Sequence, residues 1–478
     1  MQITERNFDT NVQMLKYKVL KGVVEHFDQG TLESAYRDIP MDIAPGPKPT
    51  TRCCVYKERA IITERVRMAM GGDKENANVI EVLRIACDEC TVNRYHVGSA
   101  CRGCIAHRCE HACPTGAIEV RDGKARINQE KCIECGKCAT ACPYTAIMKY
   151  TRPCENACKI GAISMHRDNS AKIDNDKCIS CGACVYQCPF GAIVDKSFLL
   201  DALTIMRESE NNTKYKVYAV VAPSISSQFS YAKTGQVVTG LRKIGFHSVI
   251  EAALGADMVA YAEAAELVEK GFLTSSCCPA FVAYIKSAFP GLVDKISHNP
   301  SPMEAVARFI KRTDPTAKCV FVGPCTAKKM EFQQEHITGI DCVITFEELQ
   351  ALFDAREVNV ENLEESLLDN ASYYGRIFAR SGGLTDAVKQ ALKEQGSDFI
   401  VNPIPCDGIE ACRVALLKKQ KNLLKENFIE GMACVGGCIG GAGCLTHGEK
   451  NKADVDKYGM EAYEKSIEQA ISLVKPKE

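Results

Sequence analysis

The chain has 478 residues, which is too many for one ordinary hydrophobic core and indicates two to four domains. Its formal net charge of −1 at pH 7 argues against a nucleic-acid-binding or membrane-binding surface. The longest apolar stretches are only as long as strands, and the first residues carry charges without an apolar signal core. We therefore expect a cytoplasmic protein without nucleic-acid or membrane partners.

The first 80 residues are predicted to form a helical N-terminal segment. Apolar positions recur at helical spacing in Val12–Phe27 and in Ala60–Met70, and the Pro-rich stretch Pro40–Pro49 separates them. This pattern indicates no chemistry. The adjacent Cys53 and Cys54 are interpreted as structural or without a role.

The chain contains 28 cysteines, and this number indicates a chemical role. In a small secreted chain it would predict disulfides, whereas in a large intracellular chain it predicts metal binding or catalysis. Zinc is the first alternative, because CxxC pairs also build zinc ribbons. Runs of the form CxxCxxCxxxCP, with a proline after the fourth cysteine, are instead typical of bacterial ferredoxins. We therefore predict 4Fe-4S clusters.

Two complete runs of this form, and a looser first run with a four-residue central gap, follow one another in the region after residue 100. Each is followed by a Gly-Ala-Ile or Thr-Ala-Ile segment, typical of the short strand that leaves a ferredoxin half. A fourth such segment, Gly161–Ile163, is preceded only by Cys154 and Cys158. Four halves predict two ferredoxin-like modules in tandem, residues 81–150 and 151–200. The three runs are Cys101, Cys104, Cys109 and Cys113; Cys132, Cys135, Cys138 and Cys142; and Cys178, Cys181, Cys184 and Cys188.

In two-cluster ferredoxins the fourth cysteine of each run binds the cluster of the other run. This rule assigns no cluster to Cys154 and Cys188, and an upstream pair, Cys87 and Cys90, is also unassigned. Two interpretations stay open for these four: they hold a fourth cluster, or the second module has lost one and the upstream pair is structural or binds another metal. The rule predicts three clusters, held by Cys101, Cys104, Cys109 and Cys142; by Cys132, Cys135, Cys138 and Cys113; and by Cys178, Cys181, Cys184 and Cys158.

From Tyr215 onward strand-like and helix-like segments alternate, which predicts an α/β domain with parallel strands over residues 213–449. Helix starts with capping residues are predicted at Ser301 and Thr345. Ligands of such domains bind at the carboxyl ends of the strands. The remaining residues, 450–478, are predicted to form one charged amphipathic helix. Strands are predicted at Val217–Val221, Lys318–Val322, Cys342–Ile344 and Phe399–Ile404.

Three segments of this domain carry cysteines in patterns that closely resemble the signature motifs of FeFe-hydrogenases. The resemblance covers roughly residues 81–447. It implies a two-lobed catalytic domain around an H-cluster, a 4Fe-4S cubane joined to a diiron centre that carries CO, CN and a dithiolate bridge. The segments are Thr274-Ser-Ser-Cys-Cys-Pro279, Gly323-Pro-Cys-Thr-Ala-Lys-Lys329 and Glu430-Gly-Met-Ala-Cys-Val-Gly-Gly-Cys-Ile-Gly-Gly441.

The resemblance also implies roles for individual residues. The glutamates at 263 and 266, three apart on one helix face, would otherwise indicate only a solvated surface. Cys277 would exchange protons with the diiron ligand, a role that a thiol of near-neutral pKa suits. The implied cubane ligands are Cys278, Cys325, Cys434 and Cys438, the last of which bridges to the diiron centre; Ser224, Lys328 and Met432 complete the cofactor environment; and Glu263, Glu266, Ser297 and Glu331 match the proton path.

The implied function is an FeFe-hydrogenase that interconverts H2 with two protons and two electrons. N-terminal clusters would pass the electrons to or from a soluble ferredoxin, and maturation proteins would supply the diiron centre. The alternative is a hydrogenase-like protein without turnover, either an H2 sensor or an iron–sulfur scaffold. A polyferredoxin carrier with an inert C-terminal domain explains the three motifs less well.

The sequence departs from the family pattern at three places. Gly323 stands where methionine is usual, Met303 where glutamine is common, and Phe281 ends a motif that often ends in tryptophan. Because the first two changes remove a thioether contact and an amide donor near the diiron centre, we expect a shifted redox potential and catalytic bias.

Overall fold

The computed structural model describes residues 8–90, 94–472 and 474. The first seven residues of the predicted helical segment and the last four of the predicted tail lie outside these residues. In this part of the chain, no helix is both long and apolar enough to cross a membrane.

The N-terminal segment is helical, as predicted, but its described part contains three helices, because a helix over Ala35–Ile43 lies between the two that were predicted. The first begins after Thr10, whose hydroxyl accepts a hydrogen bond from the amide of Gln13, and it ends at Gly30, where φ is +73°. The Pro-rich stretch overlaps the end of the second, which contains Pro40. The helices are α1 (Asn11–Gln29), α2 (Ala35–Ile43) and α3 (Val55–Ala69).

Small antiparallel strand pairs and single-turn helices build the cysteine-rich region. Their pairing differs from the predicted division at residue 150. Strand β2 pairs with β5, but β1 pairs with β8, at the far end of the second module. Residues 80–90 therefore pack with the second module. The sequence did not show this, because the pairing of strands far apart in the chain depends on tertiary contacts. The elements are β1 (Ile80–Val82), β2 (Arg94–Val97), α4 (Arg108–His111), β3 (Ile118–Arg121), β4 (Lys124–Ile127), α5 (Lys137–Ala141), β5 (Ile147–Tyr150), α6 (Pro153–Ala157), β6 (Ile163–Met165), β7 (Ala171–Ile173), α7 (Ala183–Gln187) and β8 (Ile193–Asp195).

The rest of the chain contains the predicted α/β domain with parallel sheets, preceded by α8 (Leu199–Glu208) and followed by α18 (Lys450–Met460) and α19 (Ile467–Ile471). The elements of the domain are β9 (Val217–Val221), α9 (Thr234–Lys243), β10 (Ser248–Glu251), α10 (Ala252–Lys270), β11 (Leu273–Thr274), α11 (Pro279–Ala288), α12 (Pro302–Thr313), β12 (Lys318–Gly323), α13 (Thr326–Glu331), β13 (Cys342–Thr345), α14 (Phe346–Ala355), α15 (Tyr373–Ile377), α16 (Gly383–Glu394), β14 (Pro403–Asp407), α17 (Ile409–Gln420) and β15 (Phe428–Met432).

Two parallel sheets form two lobes. The larger has the strand order β10-β9-β12-β13, and the smaller has the order β11-β15-β14. Strand β9 reads Val-Tyr-Ala-Val-Val and is buried along nearly its whole length, as expected for a central parallel strand covered by helices on both faces. Both capped helix starts are confirmed: Ser301 accepts from the amide of Glu304, and Thr345 forms a capping box with Glu348.

Two predicted elements have different bounds. The strand predicted at Phe399–Ile404 begins only at Pro403, where it pairs with β15; Asn402 is instead bound through the side chain of Asn427. The predicted single C-terminal helix is two helices, α18 and α19. Between them the carbonyl of Glu464 accepts from the amide of Tyr373, and Ser466 caps the second helix.

A buried network of ion pairs joins the three parts of the fold. Lys329 of α13 binds Asp195 of β8 and Glu348 of α14, each at 2.8 Å. Lys16 of α1 binds Asp195 and Glu347, each at 2.6 Å. No sequence motif indicates this network, because its members come from four distant segments.

Candidate functional site

The carboxyl ends of both parallel sheets meet at one cavity of about 80 Å³. The loops after β9 and β12 approach from the larger sheet, and those after β11 and β15 approach from the smaller sheet. The thiols of Cys277, Cys278, Cys325 and Cys438 are among its mainly apolar lining. The other lining residues are Ala222, Pro223, Ser224, Ala252, Ala256, Pro279, Pro302, Met303, Phe321, Pro324, Lys328, Phe378, Ala379 and Met432.

Four thiols converge at this cavity from three loops. Cys434 lies within electrostatic range of Cys325, Cys278 and Cys438, and Cys438 likewise interacts with Cys325 and Cys278. Burial raises the pKa of Cys438 to about 12 and that of Cys325 to about 11. Because the thiolate is the form that binds iron, metal binding here must displace protons.

Glycines allow the third motif to lie directly on the second. A Cβ atom at Gly441 would lie 2.4 Å from the carbonyl oxygen of Pro324, and one at Gly440 would lie 2.1 Å from that of Val435. Both distances are well inside van der Waals contact. Only glycine therefore lets the loop with Cys434 and Cys438 approach the loop with Cys325 so closely.

Two polar groups at the cavity have unused hydrogen-bond donors. The Ser224 hydroxyl is buried and makes no hydrogen bond within the described residues. The buried Lys328 ammonium forms an ion pair with Glu331 Oε2 at 2.6 Å, and its other N–H groups have no acceptor within the described residues. A buried unsatisfied donor costs about 1–3 kcal/mol, so this site favours a ligand that brings acceptors. Four thiols beside two such donors fit a cubane joined to a centre with anionic ligands.

A line of polar side chains leads from Cys277 toward the surface. Glu263 of α10 is fully buried and interacts electrostatically with Cys277; its Oε1 accepts from Ser276 N at 3.3 Å. Ser297 lies near Glu263, whose pKa it influences, and donates to Glu266 Oε2 at 3.2 Å. Glu266 is partly exposed and also binds Lys270 and His298, each at 2.7 Å. The helix thus brings the two predicted glutamates onto a path that begins at the cavity.

The two glutamates have opposite pKa shifts. Burial raises the pKa of Glu263 to about 7 from its ordinary 4.5. At Glu266, burial is outweighed by hydrogen bonds from Lys270 and His298, which lower its pKa. Burial and the nearby Glu263 also raise the pKa of the Cys277 thiol well above its ordinary value. The expectation of a near-neutral thiol was therefore wrong: in this environment Cys277 is a protonated donor.

We expect the Glu263 carboxyl to titrate near pH 7. Its protonated infrared band should be present at pH 5, lost by about pH 9, and absent from Glu263→Gln at every pH. Since the folded-state pKa is the higher one, this group's contribution to stability should fall as pH rises from 4.5 to about 7. Glu266→Gln is the matched control and should keep the band; loss of the band there would assign it to Glu266.

Glu331 occupies a different place from the other predicted path residues. It pairs with Lys328 and also lines a solvent-open depression that includes Ser297 and His298. It therefore links the cavity ammonium to the surface by a second route, separate from Glu263.

Most of the predicted N-terminal ligands lie together in space. Cys101, Cys104, Cys109 and Cys142 line one small cavity. Cys138 interacts with Cys132 and Cys113. Cys181 interacts with Cys178 and Cys158, and also with Cys278 beside the large cavity. No group of three or more His, Cys, Asp or Glu in the described part of the chain has the spacing for a single metal ion, but a cubane has four irons and accepts thiolates that lie further apart.

Two residues near the cavity were not found from the sequence. Glu430 is buried and accepts from the amides of Gly382 and Thr385, which anchors the turn beside Phe378. Phe321 lines the cavity, and its ring lies 2.5 Å from where a Cβ of Gly323 would stand. Its ring thus fills the space left by the glycine. The only sequence feature that could have identified either residue was the position of Glu430 at the start of the third motif.

Family models match most of the region with motif cysteines. The model described as iron only hydrogenase large subunit, C-terminal domain, matches residues 215–442. A 4Fe-4S dicluster domain matches residues 100–146, and a 4Fe-4S binding domain matches residues 171–194.

Individual relatives point to two kinds of protein. Iron hydrogenase 1 of Clostridium pasteurianum is 28% identical over 413 residues, which are 74% of this chain and 70% of the relative. The cytosolic Fe-S cluster assembly factor NAR1 of Eremothecium gossypii is 30% identical over 142 residues, which are 28% of this chain and 32% of the relative. A solved FeFe-hydrogenase, from work on oxygen inactivation at the H-cluster 2Fe subcluster, shares the fold with a TM-score of 0.50 and 19% identity; the match covers 58% of this chain and 93% of that one.

Proposed function

Because this chain is an FeFe-hydrogenase-like protein with ferredoxin modules, we propose that it catalyses the reversible conversion of H2 into two protons and two electrons. Cys278, Cys325, Cys434 and Cys438 would hold the cubane of the H-cluster, with Cys438 bridging to the diiron centre. When bound, this group supplies the redox-active irons at which the H–H bond is cleaved or formed. Ser224 and Lys328 would donate hydrogen bonds to its anionic ligands.

The observation that carries this proposal is the polar path from the cavity to the surface. Proton release from a buried site needs a relay of groups within hydrogen-bond reach. The Cys277 thiol would hand protons to Glu263, whose pKa of about 7 allows it to accept and release them at neutral pH. Ser297, which donates to Glu266, would connect that carboxylate to Glu263, and Glu266 reaches solvent beside His298.

Electrons would pass through the second ferredoxin module. Cys181 interacts with Cys278 and Cys434, so the cluster of Cys178, Cys181, Cys184 and Cys158 would lie next to the cubane. The first module would pass electrons on to or from a soluble ferredoxin. Dedicated maturation proteins would deliver the diiron centre.

A second candidate function is supported by the relatives named as Fe-S cluster assembly factors. A hydrogenase-like scaffold or H2 sensor would need the cubane thiols but no proton path. The buried pair of Cys277 and Glu263 and the unsatisfied donors Ser224 and Lys328 favour the enzyme.

The test is H2 evolution from reduced viologen by anaerobic protein matured with the diiron cofactor, whose CO and CN bands are verified by infrared spectroscopy. We expect steady H2 production that stops when the cofactor is omitted. A protein with full CO and CN bands that evolves and consumes no H2 would instead establish the scaffold or sensor function.

A further inference from the structure

The second ferredoxin module repeats the first element by element, but its chain is interrupted. In the first module, β2 leads to Cys101 and Cys104, and α4 then carries Cys109. In the second, β1 leads to Cys87 and Cys90, and the chain reaches α6 with Cys154 only after the whole first module has intervened. The pairing of β1 with β8 matches that of β2 with β5.

Contacts between sulfur and backbone amides show the same correspondence. In the first module, the amide of Ala125 donates to Cys101 Sγ at 3.4 Å. In the second, the amide of Ala171, in the equivalent strand, donates to Cys87 Sγ at 3.3 Å. Cys87 therefore occupies the position of a first cluster ligand, although it lies 84 residues before Ala171 in sequence.

Cys188, to which the crossed rule assigns no cluster, also has the surroundings of a cluster ligand. The amide of Ala192 donates to Cys188 Sγ at 3.2 Å. The amides of Ala117 and Ala162 donate at the same distance to Cys113 and Cys158, the fourth cysteines of their halves.

The four unassigned thiols lie close together in a mostly buried region. Cys154 interacts electrostatically with Cys188, Cys87 and Cys90. Cys87, Cys154 and Cys188 share one hydrophobic cluster and are 5–7% exposed. Three separate segments thus bring these four cysteines into one region of the fold.

Two buried arginine side chains lie next to these thiols. Arg152 is 2% exposed, and its Nη1 lies 3.9 Å from Cys87 Sγ. Arg65 is 5% exposed and lies near Cys188, where it donates to the carbonyl of Gly191 at 2.8 Å. The buried Arg65 guanidinium needs negative charge nearby, and a cluster with four thiolate ligands provides it.

We propose that Cys87, Cys90, Cys154 and Cys188 bind a fourth N-terminal 4Fe-4S cluster, and that the first ferredoxin module is an insertion within the second. The four thiols would lose their protons on binding, with no change in their oxidation state. Cys184 interacts with Cys154, so this cluster would neighbour the one next to the large cavity and extend the electron path by one step. The proposal does not depend on hydrogen turnover in the C-terminal domain.

The test is an iron, sulfide and zinc count on the full-length protein, reconstituted anaerobically without the diiron centre. Five cubanes, including that of the C-terminal domain, predict about 20 irons and 20 sulfides per chain, and four predict about 16. We expect about 20 without stoichiometric zinc. About 16 irons, with or without one zinc, would overturn the proposal.

Two variants assign the iron to this site. Cys87→Ser should lose about four irons and keep the rest, whereas Cys53→Ser, at an exposed cysteine, should match the parent. An unchanged count in Cys87→Ser would show that the iron is elsewhere and refute the assignment. If Cys87→Ser does not fold, Cys90→Ser, at a cysteine that is only partly buried, should show the same loss of about four irons. The iron count of the parent protein still decides between five clusters and four.

Discussion

Replacing Cys277 by alanine should reduce hydrogen turnover at least 100-fold while every iron–sulfur cluster stays in place. The thiol is buried at the cavity, next to the proposed cubane ligands and in electrostatic contact with Glu263 on the proposed path outward. Removing it breaks the relay at its first step, and positioned proton-transfer groups typically contribute about 10²–10⁴-fold to rate. The measurement is H2 evolution from reduced viologen by matured protein with matched iron content and matched CO and CN infrared bands.

Cys319→Ala is the matched control for this substitution. Cys319 is also fully buried, but it lies near the start of β12, at the opposite end from the cavity. It should keep nearly all activity, which separates loss of the relay from a general effect of deleting a buried thiol. Unchanged activity in Cys277→Ala would be consistent with the proposed hydrogenase activity but would refute the proton route through Cys277.

Lys329→Met should destabilise the protein by about 3–5 kcal/mol, because it leaves buried charge without its partner. Lys329 is 0% exposed and binds Asp195 and Glu348, each at 2.8 Å. Lys16 still pairs with Asp195 in the variant, but Glu348 loses its only ion-pair partner within the described residues. The measurement is the guanidinium midpoint of anaerobic, cluster-loaded protein followed by circular dichroism.

Two further variants test the cause of this loss. Adding Glu348→Gln to Lys329→Met removes the stranded charge and should recover part of the stability. Lys233→Met, at an exposed pair with Glu365, should leave the midpoint where it is. Equal effects of the two lysine substitutions would show that the buried network does not hold the three parts of the fold together.

The local sequence pattern predicted most elements that carry the site. Strand β9 and the capped starts of α12 and α14 have the predicted positions, because burial pattern and capping act between neighbours in sequence. The start of β14 was misplaced, since it depends on its register with β15.

The sequence by itself determined which cysteines are available and how they are grouped, because the spacing of a cluster run is set within a few residues. It also determined, through three short motifs, the family to which the C-terminal domain is related. Only the tertiary structure decided that Cys87 and Cys90 join the second module, that Lys329 pairs with Asp195, and that burial raises the pKa of Cys277. Each of these depends on contact or desolvation by segments far apart in sequence, which no local pattern records.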